Sequence, residues 1–139
     1  MRLAFYRAWT SSWREGWQDR LVSIFTLGRY SHVEFVFSDG MCFSASPRDG
    51  GTRFKEIHFV PGRWTFVDIP DCNEDALWKW CSVQQGRAYD WLGLLSPWFG
   101  CQDPYRWFCS EIVAAGLNAV ANTNLSTRCS PSRLYRLLA

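Results

Sequence analysis

The sequence has a small net charge, only two histidines and no long apolar run. Its 15 basic and 13 acidic residues leave a formal net charge of +2, and the basic residues are scattered along the chain. A nucleic-acid-binding surface needs clustered positive charge, so we expect no nucleic-acid partner. No segment reaches the roughly 18 uncharged apolar residues of a membrane helix, so we expect no membrane span. Residues 1–17 contain no apolar leader, which favours a cytoplasmic location.

The six cysteines lack the spacing of a disulfide framework or of a zinc site. They form no CxxC pair, and lie at positions 42, 72, 81, 101, 109 and 129. In a reducing compartment a free cysteine behaves mostly as a small hydrophobic residue. The sequence therefore predicts no disulfides, no bound metal and no cofactor.

Length and composition indicate one domain that spans residues 1–139. The chain is 47% apolar and 17% aromatic, which excludes an intrinsically disordered protein. Its length lies within the range of roughly 100–200 residues that is usual for one domain. No internal repeat, low-complexity tract or linker divides it. We therefore expect a single hydrophobic core.

Alternating apolar and polar residues predict strands in the first half of the chain. Segments with this pattern occur at 2–7, 30–46, 55–60 and 64–70, with a loop over 47–53. The 30–46 segment is predicted to be a β-hairpin, because Ser38-Asp39-Gly40 separates two β-rich runs. Phe37 then pairs with Met41 in a three-residue loop.

The helical patterns lie mostly in the second half. Apolar residues at helical spacing predict helices over 17–25, from Asn73 to Gly86, and from about Cys109 to Val120. A turn at Ser130-Pro131 precedes a final helix or extended segment. Strands that lead and helices that follow indicate an α+β fold, with an antiparallel β-sheet packed against a few helices.

Cys109 and His32 are the candidate nucleophile and base. A helix N-terminus favours a thiolate, and Cys109 is the cysteine that is predicted to lie at one. His32 opens a strand beside Ser31 and Tyr30, whereas His58 alternates with apolar neighbours and is expected to face away. Cys109 is also on the apolar face of its helix, so a structural role in the core is the alternative.

A third group is needed to orient the imidazole. In the predicted hairpin register His32, Glu34, Ser44 and Ser46 share one face of the sheet. Any of the last three could contact the ring from that face. We interpret Glu34 as a residue that forms a salt bridge or meets solvent.

Several segments resemble the permuted papain-like cysteine hydrolases, which are circular permutants of the NlpC-type peptidases and relatives of the lecithin:retinol acyltransferase group. TLGRYSHVEFVF followed by FSASPRDGG is similar to the family's histidine hairpin, and WFCSEIVAAGL to its catalytic helix. GRAYDWLGLL and SPSRLY match two further family segments. The likeness covers most of residues 20–134, in the permuted order of histidine first and cysteine last.

The resemblance implies roles for individual residues. Cys109 matches the nucleophile, His32 the general base and Ser44 the third catalytic position, where the family often has a glutamate. A serine stabilises an imidazolium less than a carboxylate does, so this departure favours a slow enzyme. Tyr89 and Asp90 match family positions that we interpret as structural.

The resemblance therefore implies a cysteine-dependent hydrolase or acyltransferase that acts on an amide, ester or thioester through a thioacyl intermediate. The expected substrates are a peptide, a cell-wall peptide or an acyl lipid. The aromatic residues Trp91, Trp98, Phe99 and Trp107 would suit an acyl chain or a peptide side chain, and would equally suit a plain core. A catalytically silent papain-like binding module is the first alternative. A thiolate metal site built from Cys109, Cys129 and His32 is the second, although the ligand spacing disfavours it.

Overall fold

The computed structural model describes residues 1–7, 28–90 and 106–139 as an α+β protein. The strands are β1 (Arg2–Arg7), β2 (Tyr30–Val36), β3 (Met41–Ser46), β4 (Gly51–Glu56), β5 (Trp64–Asp68), β6 (Ala88–Tyr89) and β7 (Arg106–Trp107). The helices are α1 (Glu74–Gln84), α2 (Cys109–Val120) and α3 (Pro131–Leu138). The helix predicted over 17–25 and the aromatic residues at 91, 98 and 99 lie outside the described residues.

The strands form one open sheet in the order β5-β1-β2-β3-β4-β6-β7. Neighbouring strands are antiparallel except β6 and β7, which are parallel. The predicted α+β class with a mostly antiparallel sheet is confirmed. No helix among the described residues is long and apolar enough to cross a membrane.

The hairpin between β2 and β3 has the predicted three-residue loop. The Phe37 N–H donates to the Met41 carbonyl at 2.9 Å, and Phe35 lies opposite Phe43. Gly40 has a φ of 90°, which a glycine adopts without steric cost. The Asp39 carboxylate accepts the Met41 N–H at 2.9 Å. This register gives Glu34 and Ser44 facing positions on β2 and β3.

The strand that follows the hairpin lies earlier in the chain than predicted. β4 begins at Gly51 and ends at Glu56, so the loop predicted over 47–53 and the strand predicted over 55–60 are both displaced. The reason is tertiary, since β4 pairs with β3 from Ser46 opposite Gly51 to Met41 opposite Glu56. His58 consequently lies beyond the end of β4.

Gly51 is required where β4 meets β6. It has a φ of 156°, and a Cβ at this position would lie 2.0 Å from the Arg87 carbonyl oxygen. We expect Gly51→Ala to destabilise the protein by about 1–3 kcal/mol, because the backbone must shift. Gly50→Ala is the matched control, since Gly50 also has a positive φ but a Cβ there meets nothing within 4 Å. Urea unfolding of both variants tests this, and equal losses of stability would contradict it.

Helices α1 and α2 pack against the sheet and against each other. Asn73 caps α1 as predicted by accepting the Ala76 N–H, and Leu77 and Cys81 of α1 are fully buried. On α2, a Cβ at Gly116 would lie 3.0 Å from the Phe35 ring and 3.2 Å from Leu77. This close packing fixes α2 against β2. The predicted start of α2 at Cys109 is confirmed.

Candidate active site

Cys109 is the first residue of α2 and is buried, with 2% of its surface exposed. The short parallel pair of β6 and β7 leads into this helix. In it Tyr89 lies opposite Trp107, and the Asp90 N–H donates to the Trp107 carbonyl at 3.0 Å. The N–H groups of a helix's first turn have no acceptor within the helix and carry partial positive charge. The sheet thus holds the Cys109 thiol at the N-terminus of α2.

The structure brings His32 of β2 to Cys109, although the two are far apart in sequence. Cys109 lies close enough to His32 to raise the pKa of its imidazole, through its charge and as a hydrogen-bonding group. His32 Nε2 lies 2.7 Å from Glu34 Oε1. The side chain of His32 is 20% exposed and that of Glu34 only 1%. The imidazole therefore has a thiol and a buried carboxylate as its two neighbours.

Glu34 is held by a guanidinium from β4. Arg53 Nη1 lies 2.8 Å from Glu34 Oε2, and Nη2 lies 2.7 Å from Oε1. Such a two-point contact between planar groups fixes direction as well as distance. Burial by itself raises the pKa of Glu34, but the charges and hydrogen bonds of His32 and Arg53 outweigh it and lower that pKa. Glu34 is therefore ionised.

These neighbours favour a positively charged imidazole. Burial by itself lowers the pKa of His32, but the charges of Cys109 and Glu34 and their hydrogen bonds raise it to about 10. An imidazolium beside a thiol stabilises the thiolate, which is the reactive form of cysteine. The arrangement therefore places an imidazole that favours its charged form beside the thiol of Cys109.

Ser44 makes a different contact from the predicted one. Its hydroxyl is fully buried and donates to the Val33 carbonyl at 2.7 Å, while Nε2 of His32 faces Glu34. The predicted orienting contact of Ser44 is therefore corrected to Glu34. The physical reason is that an ionised carboxylate two residues along the same strand is a stronger acceptor than a hydroxyl already joined to the backbone.

In the sequence analysis Glu34 was one of three residues that could contact the imidazole, but it was interpreted as forming a salt bridge or meeting solvent, and Ser44 was preferred. The place of Glu34 on the face of His32 was the available signal. The residue that holds it, Arg53, fell in a predicted loop. In the structure Arg53 lies on β4 directly opposite Ser44, and so reaches Glu34 from two strands away.

The other described cysteines and the second histidine lie in different surroundings. All five described cysteines, Cys109 included, are free thiols. Burial raises the pKa of Cys129 to about 11 and that of Cys42 to about 12, and it also raises the pKa of Cys72 and Cys81. His58 is exposed, in the segment between β4 and β5. Cys101 lies outside the described residues.

Three further ionisable groups, Tyr89, Asp90 and Glu111, lie near the start of α2. The Phe108 N–H donates to Glu111 Oε2 at 3.4 Å. Burial and then the charge of Asp90 raise the pKa of Glu111 to about 7. Tyr89 is 3% exposed, and its pKa is raised by burial first and by Cys109 second. Tyr89 therefore interacts electrostatically with Cys109, and Asp90 and Glu111 with Tyr89.

Within the described residues no group of three His, Cys, Asp or Glu side chains is placed as metal ligands would be. Trp107, which would suit either a substrate contact or the core, is half-buried and its ring lies 6.3 Å from that of Trp80. Comparison of the chain with protein-family models, with curated proteins and with solved structures gives no match.

Proposed function

We propose that the protein is a cysteine-dependent hydrolase or acyltransferase with a circularly permuted papain-like fold. The observation that carries the proposal is the position of His32, which lies between the thiol of Cys109 and the carboxylate of Glu34. A nucleophile, a base and a group that orients the base are the three parts that this chemistry needs. The chain order of a histidine on an early strand and a cysteine on a late helix supports the permuted arrangement.

In the acylation step, the Cys109 thiolate attacks the carbonyl carbon of an amide, ester or thioester. The sulfur–carbon bond forms, and the bond from carbon to the leaving group breaks. The proton on the His32 imidazolium goes to the leaving amine, alcohol or thiol. The backbone N–H of Cys109, at the helix start, is suited to donate to the developing oxyanion.

In the second step, water or another acceptor attacks the thioacyl group. Neutral His32 takes the proton of the attacking group, the sulfur–carbon bond breaks and the thiolate–imidazolium pair returns. Water yields a carboxylic acid, whereas an alcohol or amine acceptor yields a new ester or amide. Throughout both steps Glu34 stays ionised and keeps the ring in place through Nε2. We propose a peptide, a cell-wall peptide or an acyl lipid as the substrate.

A catalytically silent binding module is the second candidate. The observation that favours it is the burial of Cys109, of which only 2% is exposed. A buried thiol in an apolar setting is ordinarily inert. The carboxylate at Nε2 argues against this candidate, because a silent module has no need of an ionised group in that position.

The pH dependence of thiol alkylation separates the two candidates. The full chain is treated with iodoacetamide between pH 4 and 10, and each cysteine is followed by peptide mass mapping. We expect Cys109 to react well below the free-thiol value of about 8.5, while Cys129 serves as a buried internal reference. Titration of Cys109 near 8.5, or no reaction, would support the silent module.

Trapping of the intermediate provides the second arm of the test. Incubation with p-nitrophenyl acetate should release p-nitrophenolate and leave one acetyl group on Cys109. The matched controls are Cys109→Ala, which should carry no acetyl group, and Cys129→Ala, which should be acetylated like the unmodified chain. Acetylation that persists in Cys109→Ala would refute the assignment of the nucleophile.

A further inference from the structure

Arg53 occupies a position that the two proposed steps do not explain. Its side chain is only 15% exposed and lies on β4, while Glu34 lies on β2. Both terminal nitrogens contact the Glu34 carboxylate, and Nη1 also lies 3.5 Å from the Ser44 carbonyl. The guanidinium thus crosses β3 to reach the carboxylate that faces His32.

A second carboxylate, that of Asp49, also contacts Arg53. Asp49 Oδ2 lies 2.8 Å from Arg53 Nε, and Asp49 Oδ1 lies 2.9 Å from Lys55 Nζ. The charges therefore alternate outward from the imidazolium: His32, Glu34, Arg53, Asp49 and Lys55. Lys55 is 51% exposed, so the series runs from the buried site to the surface.

Resting on the function proposed above, we infer that Arg53 is a positioning residue for the reaction. It keeps Glu34 ionised and turned toward His32, and Asp49 holds Arg53 in that orientation. Through Glu34, Arg53 determines the lowest pH at which the Cys109–His32 pair remains charged.

In the described part of the chain, few charged or titratable groups lie next to Glu34. On β2 the neighbour is His32 itself, and on β3 it is Cys42, whose raised pKa keeps it neutral. On β1 the opposite residue is the uncharged Ala4, and Arg2 of that strand acts on Cys42. Arg53 is thus the cation that directly pairs with Glu34 from outside its own strand.

A buried carboxylate that loses its cation is less stable in the ionised form. Burial favours the neutral form, so Glu34 would take up a proton at a higher pH once Arg53 is removed. A neutral Glu34 stabilises the imidazolium of His32 less, and the lost positive charge also disfavours the thiolate. Both effects move the acidic limit of Cys109 reactivity upward in pH.

The first experiment measures protonation directly and needs no substrate. In the Cys109→Ala background, NMR titration follows the Glu34 carboxyl and the two histidine rings, with exposed His58 as the internal reference. Arg53→Met should raise the pKa of Glu34 by at least about 1. Arg53→Lys keeps the charge without the two-point contact and should restore part of the difference. Lys79→Met, which removes an exposed cation of α1 outside this series, is the control and should leave the pKa of Glu34 unchanged.

The second experiment measures reactivity in the chain that retains Cys109. Alkylation of Cys109 at pH 5 should fall at least tenfold in Arg53→Met and by an intermediate factor in Asp49→Asn. Thermal unfolding identifies any variant that fails to fold, in which case Arg53→Lys and Asp49→Asn carry the comparison.

The two experiments separate failure of this inference from failure of the proposed function. Suppose that Cys109 of the unmodified chain reacts at low pH, while Arg53→Met leaves the pKa of Glu34 and the alkylation profile unchanged. The inference about Arg53 is then wrong, and the proposed function stands. If Cys109 never reacts at low pH, the proposed function fails. The NMR titration still decides in that case whether Arg53 controls the protonation of Glu34.

Discussion

Replacing His32 by asparagine is expected to slow acetylation of Cys109 by about 10³- to 10⁴-fold at pH 7. Cys109 and Glu34 raise the pKa of the imidazole. In the proposed mechanism, its loss removes both the stabilisation of the thiolate and the acid that protonates the leaving group. Asparagine retains a polar side chain of similar size. The rate is measured by the release of p-nitrophenolate, and the acetyl group is located by mass mapping.

His58→Asn is the matched control for this change. His58 is exposed between β4 and β5, so its replacement should leave the rate within about twofold, as is usual for a surface substitution. Equal rates for the two variants would mean that His32 is not the base. A rate that falls only in His58→Asn would show that the wrong histidine was chosen.

Replacing Glu34 by glutamine is expected to lower the same rate by about 10²- to 10⁴-fold and the free energy of unfolding by about 3–5 kcal/mol. The amide presents one oxygen and one nitrogen, so it cannot accept from both nitrogens of Arg53 and also from His32. A buried guanidinium without its carboxylate accounts for the lost stability. A neutral amide at Nε2 of His32 accounts for the lower rate of acetylation.

The effect of Glu34 on stability has a defined pH dependence. Its pKa is lowered from 4.5 on folding, so its contribution is fully present above pH 4.5 and is lost as the pH falls through the lower folded value. The difference in stability between the unmodified chain and Glu34→Gln should therefore be constant between pH 4.5 and 6.5 and shrink below pH 4.5. It should also shrink as the pH rises above 6.5, because Glu34 helps to raise the pKa of His32. Urea unfolding at several pH values measures it.

Glu56→Gln provides the control, because Glu56 is an exposed carboxylate at the end of β4. It should change neither the rate nor the acid dependence of stability. If Glu34→Gln retains the full rate, Glu34 has only a structural role and the orienting group is elsewhere. If the rate falls while the pH dependence of stability is unchanged, Glu34 acts on the reaction but is not held ionised by its neighbours.

Sequence patterns near one another in the chain predicted local structure well. The turn Ser38-Asp39-Gly40 set the register of the hairpin, Asn73 capped α1, and apolar spacing placed the start of α2 at Cys109. These features depend on turn conformation, capping and the burial of one helix face, all of which involve residues a few positions apart. Local sequence contains that information.

The alternation of residues along the strand also predicted which side chains share one face of the sheet. The alternation along β2 put Glu34 on the same face as His32, and the hairpin register put Ser44 across from Glu34. It did not decide which of the two would accept a hydrogen bond from the imidazole. That choice depends on whether a buried carboxylate can remain ionised, and this is a question about its neighbours in space.

Only the tertiary structure supplied the answer. β4 starts at Gly51 because it pairs with β3 and closely approaches Arg87, and this register brings Arg53 opposite Ser44 and within reach of Glu34. In the sequence alone, residues 47–53 have the glycine and proline content of a loop. The sequence by itself determined the hairpin, the helix that begins at Cys109 and the face shared by His32 and Glu34. The tertiary structure decided the partner of the imidazole, because a charge buried in the sheet is stable only where another strand brings its counter-ion.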